Sequence, residues 1–193
     1  MKRSHLVKIA MIALVGLSTL GIVGVSFFLK TAFSNSSKIQ LITDTSRYPE
    51  IRQQLWFNQQ HIIPHFPEQL PPQAENIRIA YYPGVTPNGS FFQLRLQHSP
   101  GKIQTLLSQY EKIAKYQYQG GNTNDHVNLE NGVPTTFFYT SNNSQESFPA
   151  TYTIFVLDAQ DRGKPGFKWN HGHSYGVAID ISASEIVYWA EKW

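Results

Sequence analysis

WNHGHSYGVAIDISASEIVYWAEKW, residues Trp169 to Trp193, is the stretch from which the fold can be read. Ser174 to Ile181 and Glu185 to Glu191 are β-branched and aromatic runs, and Ser182-Ala183-Ser184 between them has turn composition. Two such runs joined by a short polar turn predict an antiparallel hairpin. The hairpin is preceded by a turn that carries Asn170, His171, Gly172 and His173 beside Trp169. If the strand already runs through His171, the two-residue period puts His171, His173, Tyr175, Val177 and Ile179 on one face and Asp180 on the other.

Working outward, further β-type runs supply a sheet for this hairpin to join. Asn76 to Tyr82 (NIRIAYY) alternates, and so does Ser90 to His98 (SFFQLRLQH). The Pro/Gly turns between these two predict a second hairpin. Thr135 to Thr140 (TTFFYT) and Thr151 to Asp158 (TYTIFVLD) have strand composition as well, and the latter is rich enough in β-branched and aromatic residues to be central. One helix is clear. Ser99 is a suitable N-cap and Pro100 a suitable first residue, and Ile103, Leu106, Leu107, Tyr110, Ile113 and Ala114 form one apolar stripe. The Tyr116 to Tyr118 run and Gly120-Gly121 end it. A shorter helix is predicted over Tyr48 to Gln60, with Pro49 near its start and Ile51, Leu55 and Trp56 as its apolar side. The fold class is α+β: a mostly antiparallel sheet covered on one face by an amphipathic helix.

Ahead of this domain, Ile9 to Leu29 is 21 residues without a charge. As a helix it would be roughly 30 Å long, the thickness of a bilayer's hydrocarbon core. It has no polar face, as a buried core helix would. It is also longer than the apolar part of a cleaved signal peptide, and no A-x-A pattern follows it. It therefore reads as an uncleaved signal anchor. Gly16, Gly21 and Gly24 form no G-x-x-x-G pair, so no dimer seam is read from them. Lys2, Arg3 and Lys8 precede the segment, which keeps the N-terminus in the cytoplasm and exports the rest to the periplasmic or cell-surface side. The organisation is thus a basic N-terminus over 1–8, an anchor over 9–29 with the lipid bilayer as its partner, a linker over 30–37 and an extracytoplasmic domain over 38–193.

Composition narrows the function. The chain has no cysteine, which removes disulfides, thiolate metal sites and cysteine nucleophiles, and suits a bacterial envelope protein held by packing alone. The formal charge is +3, but Lys2, Arg3, Lys8 and Lys30 belong to the membrane end. Without those four of the 16 basic residues, twelve remain against 13 acidic, and no phosphate-binding stripe is recognisable. Nucleic acid is not an expected partner. There is no G-x-G-x-x-G, Walker or G-x-S-x-G motif and no repeat, and no cofactor is expected.

Two sites can be weighed. His171, His173 and Asp180 offer the imidazole and carboxylate groups that a divalent metal takes. Strand parity separates Asp180 from the histidines, so a third ligand would have to come from His126, Asp125 or His98. The plainer reading is a turn in which Asn170 and Gly172 take positive φ and the imidazoles bond loop backbone. His61 and His65 are four apart, but Pro64 between them opposes a helix, so they read as loop or packing histidines. Ser174 beside His173 would point to the opposite face, which is no Ser–His dyad. The second site is a binding platform built from Trp169, Asn170, His171, His173, Tyr175 and Trp189, with Tyr188 and Trp193 nearby. The expected function is a membrane-anchored extracytoplasmic interaction module for an envelope protein, peptide or glycan. The alternative is an extracytoplasmic metal- or histidine-dependent hydrolase centred on His171 and His173.

Overall fold

The structure, a computed structural model, describes residues 41–59, 63–84, 89–121, 126, 129–142 and 146–193, with the backbone alone at 56–59. The basic N-terminus, the 9–29 segment and the linker lie outside the described residues, as do His61 and Asp125 and the side chain of Trp56. Among the described residues no helix is long and apolar enough to cross a membrane. Leu41 to Trp193 forms one compact unit.

That unit is α+β. A 3-10 turn over Thr45–Arg47 leads into α1 (Tyr48–Gln59), then β1 (Glu75–Tyr82), β2 (Ser90–Gln97), α2 (Pro100–Ile113), β3 (Tyr116–Gln119), β4 (Thr153–Asp161), β5 (Gly172–Asp180) and β6 (Glu185–Lys192). The strands make one sheet in the order β1-β2-β6-β5-β4-β3, and every pairing is antiparallel. The two predicted hairpins form, β1–β2 in register Tyr81↔Phe92 and β5–β6 in register Val177↔Tyr188. The β5–β6 hairpin lies at the centre of the sheet. Each of its strands is therefore hydrogen-bonded on both sides, which agrees with its near-continuous burial.

Strand parity divides the core in two. Ile79, Tyr81, Phe92, Leu94, Leu96, Phe155, Val177, Ile179, Ile186 and Tyr188 point to one face, where Tyr48, Ile51 and Leu55 of α1 and Ile103, Leu106 and Tyr110 of α2 cover them. Both helices thus pack on the same face. Ile113, expected in the apolar stripe of α2, is instead 55% exposed because the helix ends there and turns into β3. The other face carries Ile154, Val156, Ala178, Val187 and Trp189, covered by Val133, Phe138, Phe148 and Tyr152. Gly176 makes room on this face, since a Cβ there would meet Phe155 O at 2.0 Å and the Trp189 ring at 3.1 Å.

Two elements differ from the sequence expectation. Thr135 to Thr140 is not a strand. It belongs to an irregular strap that crosses the second face, and part of its backbone is bonded by side chains: Thr140 N–H donates to Gln93 Oε1 (3.3 Å), and Phe137 O accepts from Gln93 Nε2. The Tyr116 to Gln119 run, expected to end the helix, is the edge strand β3, paired with β4 from Tyr116↔Val156 to Gln119↔Thr153.

Candidate functional site: a groove between the proline segment and α2

The histidines marked in the sequence do not converge. His171 is exposed just before β5, and its carbonyl accepts from Arg162 N–H (2.7 Å). His173 is buried within β5. Asp180 lies seven residues further along the strand, roughly 23 Å away at the extended rise. There its carboxylate caps the β5–β6 turn by accepting from Thr151 Oγ1 (2.6 Å), Ser182 Oγ (2.6 Å) and Ala183 N (3.1 Å). These bonds outweigh its partial burial and hold its pKa below the usual carboxylate value. His98 sits at that same turn end, with its N–H on Ser184 O, and His126 stacks on Tyr118 of β3. Among the described residues no three His, Asp or Glu side chains are grouped to hold a metal ion. The turn before β5 also forms differently from the expectation. The positive φ falls on Trp169 (60°) and Gly166 (84°), not on Asn170 or Gly172. Asp161 Oδ1 sustains it by accepting from Trp169 N–H (3.0 Å).

The aromatic candidates separate in the same way. Trp189 is fully buried on the strap face, while Tyr188 is buried and Tyr175 half-buried on the helix face. Trp169 and Trp193 pair at one end of the sheet, with ring centroids 6.3 Å apart and Trp193 Nε1–H on Trp169 O (2.6 Å). Asn170 is exposed beside them. These residues make no common platform.

Concavity and convergent polar groups occur together elsewhere. A cleft of about 630 Å³ lies on the helix face, lined by His65, Pro67, Pro71 and Gln73 on one side and His98, Ser99, Lys102 and Leu106 on the other, with Tyr188 as floor. The proline segment keeps it open because it is both stiff and anchored. Tyr48 hydroxyl donates to Pro67 O (2.6 Å), and Phe66 stacks on Phe92 at 4.8 Å. His65 closes the inner end. Its ring stacks on Tyr175 at 5.3 Å, and its Nε2–H donates to Trp189 O (3.1 Å). Burial pushes its pKa down to about 4, so it is a neutral imidazole at physiological pH. At the rim, burial and the nearby Lys102 charge lower the pKa of His98. Lys102 is exposed in the first turn of α2, where Ser99 makes no side-chain cap. The cleft therefore offers an apolar and aromatic floor with cationic and N–H groups at one lip. By contrast, the shallow depression along the outer side of α2 (Gln104, Thr105, Ser108, Lys112) has one charge and no convergence.

The strap face holds a polar cluster that sequence reasoning missed. Gln93, fully buried, donates to Thr136 Oγ1 (3.0 Å) and accepts from Thr140 Oγ1 (3.2 Å). Arg95 Nε meets Glu185 at 2.8 Å, and Arg95 also donates to Thr140 O (3.0 Å). Tyr152 hydroxyl donates to the same Glu185. Tyr139 hydroxyl donates to Glu191 Oε1 (3.1 Å), and burial pushes the Glu191 carboxyl up to about 7. These partners lie forty or more residues apart, apart from Tyr152 and Glu185, so no local spacing marks them. The available signal is Gln93, Arg95, Glu185 and Glu191 standing in strands whose other residues are mainly apolar. Compared with known protein families, with characterised proteins and with solved structures, the chain matches none.

Proposed function

We propose that this chain is a membrane-anchored extracytoplasmic binding module that takes a peptide or glycan segment of an envelope partner into the cleft between Pro67–Gln73 and α2. The observation that carries the reading is that cleft: about 630 Å³, stiff-walled, with Tyr188 and Leu106 within and Lys102 and His98 at the lip. Pockets that bind ligands combine an apolar surface with a few convergent polar groups. The anchor rests on the 21 uncharged residues from Ile9 to Leu29 and the basic residues before them. The histidine-centred hydrolase is the lesser reading, since His171 is exposed and His173 buried.

A photo-crosslinking residue at Gln73, placed in the full-length protein in its native membrane, tests the cleft. The expected result is a discrete adduct that is lost when Lys102→Glu reverses the lip charge. No adduct is expected from the same residue at Gln109 on the outer side of α2. Equal labelling from Gln73 and Gln109 would refute the cleft as the binding place. Stoichiometric metal in the purified protein, lost in His171→Ala and His173→Ala, would favour the hydrolase.

A further inference from the structure

The Trp193 end of the sheet carries a surface that the cleft does not use. The chain enters the compact unit at this end. Ile42 pairs antiparallel with Tyr81, near the C-terminal end of β1, so Leu41, the first residue described, lies toward the Tyr82 end. The loop from β4 to β5 lies at the same end, because Asp161 pairs with Gly172 and Gly172 exchanges backbone bonds with Trp193. This loop holds Arg162, Lys164, Lys168 and His171, all exposed, and Lys192 at the end of β6 is exposed too. Asp161, the last residue of β4, is the acidic residue beside this loop, and its Oδ1 is engaged by Gly163 N–H (2.7 Å) and Trp169 N–H (3.0 Å).

The loop presents an apolar tip. Lys164-Pro165-Gly166-Phe167 is a tight turn closed by Phe167 N–H on Lys164 O (2.9 Å), with Gly166 at φ 84°. Proline followed by a positive-φ glycine is the type II arrangement. It holds Phe167 outward, 66% exposed, between two lysines. Behind it, Trp169 and Trp193 brace the base of the loop. A single exposed aromatic is ordinary by itself; what sets Phe167 apart is its place between two exposed lysines on a turn closed by a backbone hydrogen bond. It matches what anionic membrane surfaces attract: lysines near the phosphates and an aromatic ring at headgroup depth.

We propose that the Arg162–His171 loop is a second membrane contact, docking on the anionic headgroups of the bilayer that holds the 9–29 segment, with Phe167 inserted between Lys164 and Lys168. The proposal rests on the anchor reading above. Residues 30–40 are the whole tether from that segment to the unit, and eleven extended residues span at most about 40 Å. A tether of that length lets the Trp193 end reach the lipid surface. Docking orients the domain with its β5–β6 turn and the lip of the cleft at His98 away from the bilayer, toward a partner in the envelope.

The chain has no cysteine, so single introduced thiols can be labelled cleanly. The full-length protein, carrying an environment-sensitive apolar fluorophore at Phe167→Cys, Ile181→Cys or Ala13→Cys, is reconstituted in phosphatidylcholine vesicles with or without phosphatidylglycerol. Quenching by doxyl-labelled lipid is then read. The Phe167 label is expected to be quenched in the anionic vesicles and the Ile181 label, at the opposite end of the sheet, to stay unquenched. Lys164→Gln with Lys168→Gln should lower the docked-to-undocked ratio by about 25-fold, roughly five-fold for each charge. Asn170→Cys serves as a second reporter should the Phe167 variant fold poorly. Loop labels quenched no more than Ile181, with the Ala13 label fully quenched, would overturn the docking and leave the anchor intact. Quenching that survives loss of both lysines would overturn the anionic basis. An unquenched Ala13 label would overturn the anchor reading itself and this orientation with it.

Discussion

The two faces of the sheet are both buried, but by different means. On the helix face, α1 and α2 lay regular apolar stripes on Phe92, Leu94, Leu96, Val177, Ile179 and Ile186, so burial of hydrocarbon holds that face. On the strap face, Val133, Phe138, Phe148 and Tyr152 arrive without regular structure, and the strap's backbone groups need other partners. Gln93, Arg95 and Glu185 supply several of them from inside the sheet. A helix satisfies its own backbone, so the face beneath it can be wholly apolar. A strap cannot, so the face beneath it carries buried amide and charged groups. Stability on one face then resides in packing, and on the other in a network whose members depend on one another.

The largest expected effect comes from attacking the helix face. Leu106→Asp sets a carboxylate into the packing between α2 and the sheet, where Leu106 is buried. It should unfold the Leu41–Trp193 unit outright, seen as loss of a cooperative melt. A melt like that of the wild type would show that α2 does not hold this face. Next in size, Glu185→Leu leaves Arg95 and the Tyr152 hydroxyl without their shared acceptor and should cost about 3–5 kcal/mol in urea unfolding. The paired variant Arg95→Met with Glu185→Leu should recover most of that loss, because two apolar side chains no longer ask for a partner. Additive losses would mean that the network contributes stability beyond its own satisfaction, and the contrast between the faces would weaken.

The smallest effect is in pH dependence, and there the faces oppose each other. Glu191 on the strap face is raised from 4.5 to about 7 by burial. Between those values the native state holds a proton that the unfolded chain has released. This contribution is complete below 4.5 and is lost as pH rises toward 7. His65 on the helix face is lowered from 6.5 to about 4 by burial. Between those values the unfolded chain binds a proton that the native state refuses, so stability rises with pH and is lost as pH falls toward 4. Over the shared window the two slopes offset. Glu191→Gln removes one of them, so its stability should climb with pH between 4.5 and 6.5 more steeply than that of the wild type. Its decline between 6.5 and 7 should also be smaller. Unfolding free energies at several pH values in that range test this, and parallel curves for the two proteins would refute the burial of the Glu191 carboxyl.

Much of the architecture was legible in the sequence. The β5–β6 and β1–β2 hairpins and α2 show it through local period: alternation of two, or an apolar stripe at three and four, with turn residues between. Two elements misled for identifiable reasons. Thr135 to Thr140 has strand composition, but Thr136 and Thr140 are buried against Gln93 rather than set beside another strand. Tyr116 to Gln119 is short and largely exposed because it is an edge strand with one neighbour, and its brief Tyr/Gln alternation lacks the buried apolar residues that mark a strand in the sequence. The site was less legible still. His171 and His173 stood out because they are close in sequence, whereas His65, His98, Lys102 and Tyr188 share a cleft without sharing a segment.

What the sequence determined by itself is whatever one segment can encode: which stretches alternate, where turns fall, the absence of cysteine, and the uncharged run from Ile9 to Leu29. Tertiary structure alone decided that the Trp169 to Trp193 hairpin is the middle of the sheet, that both helices share one face, and that a strap with a buried polar network covers the other. The physical reason is that strand order and burial depend on pairings across long separations. Cross-strand partners such as Gln93 and Trp189 carry no mark of each other in the chain.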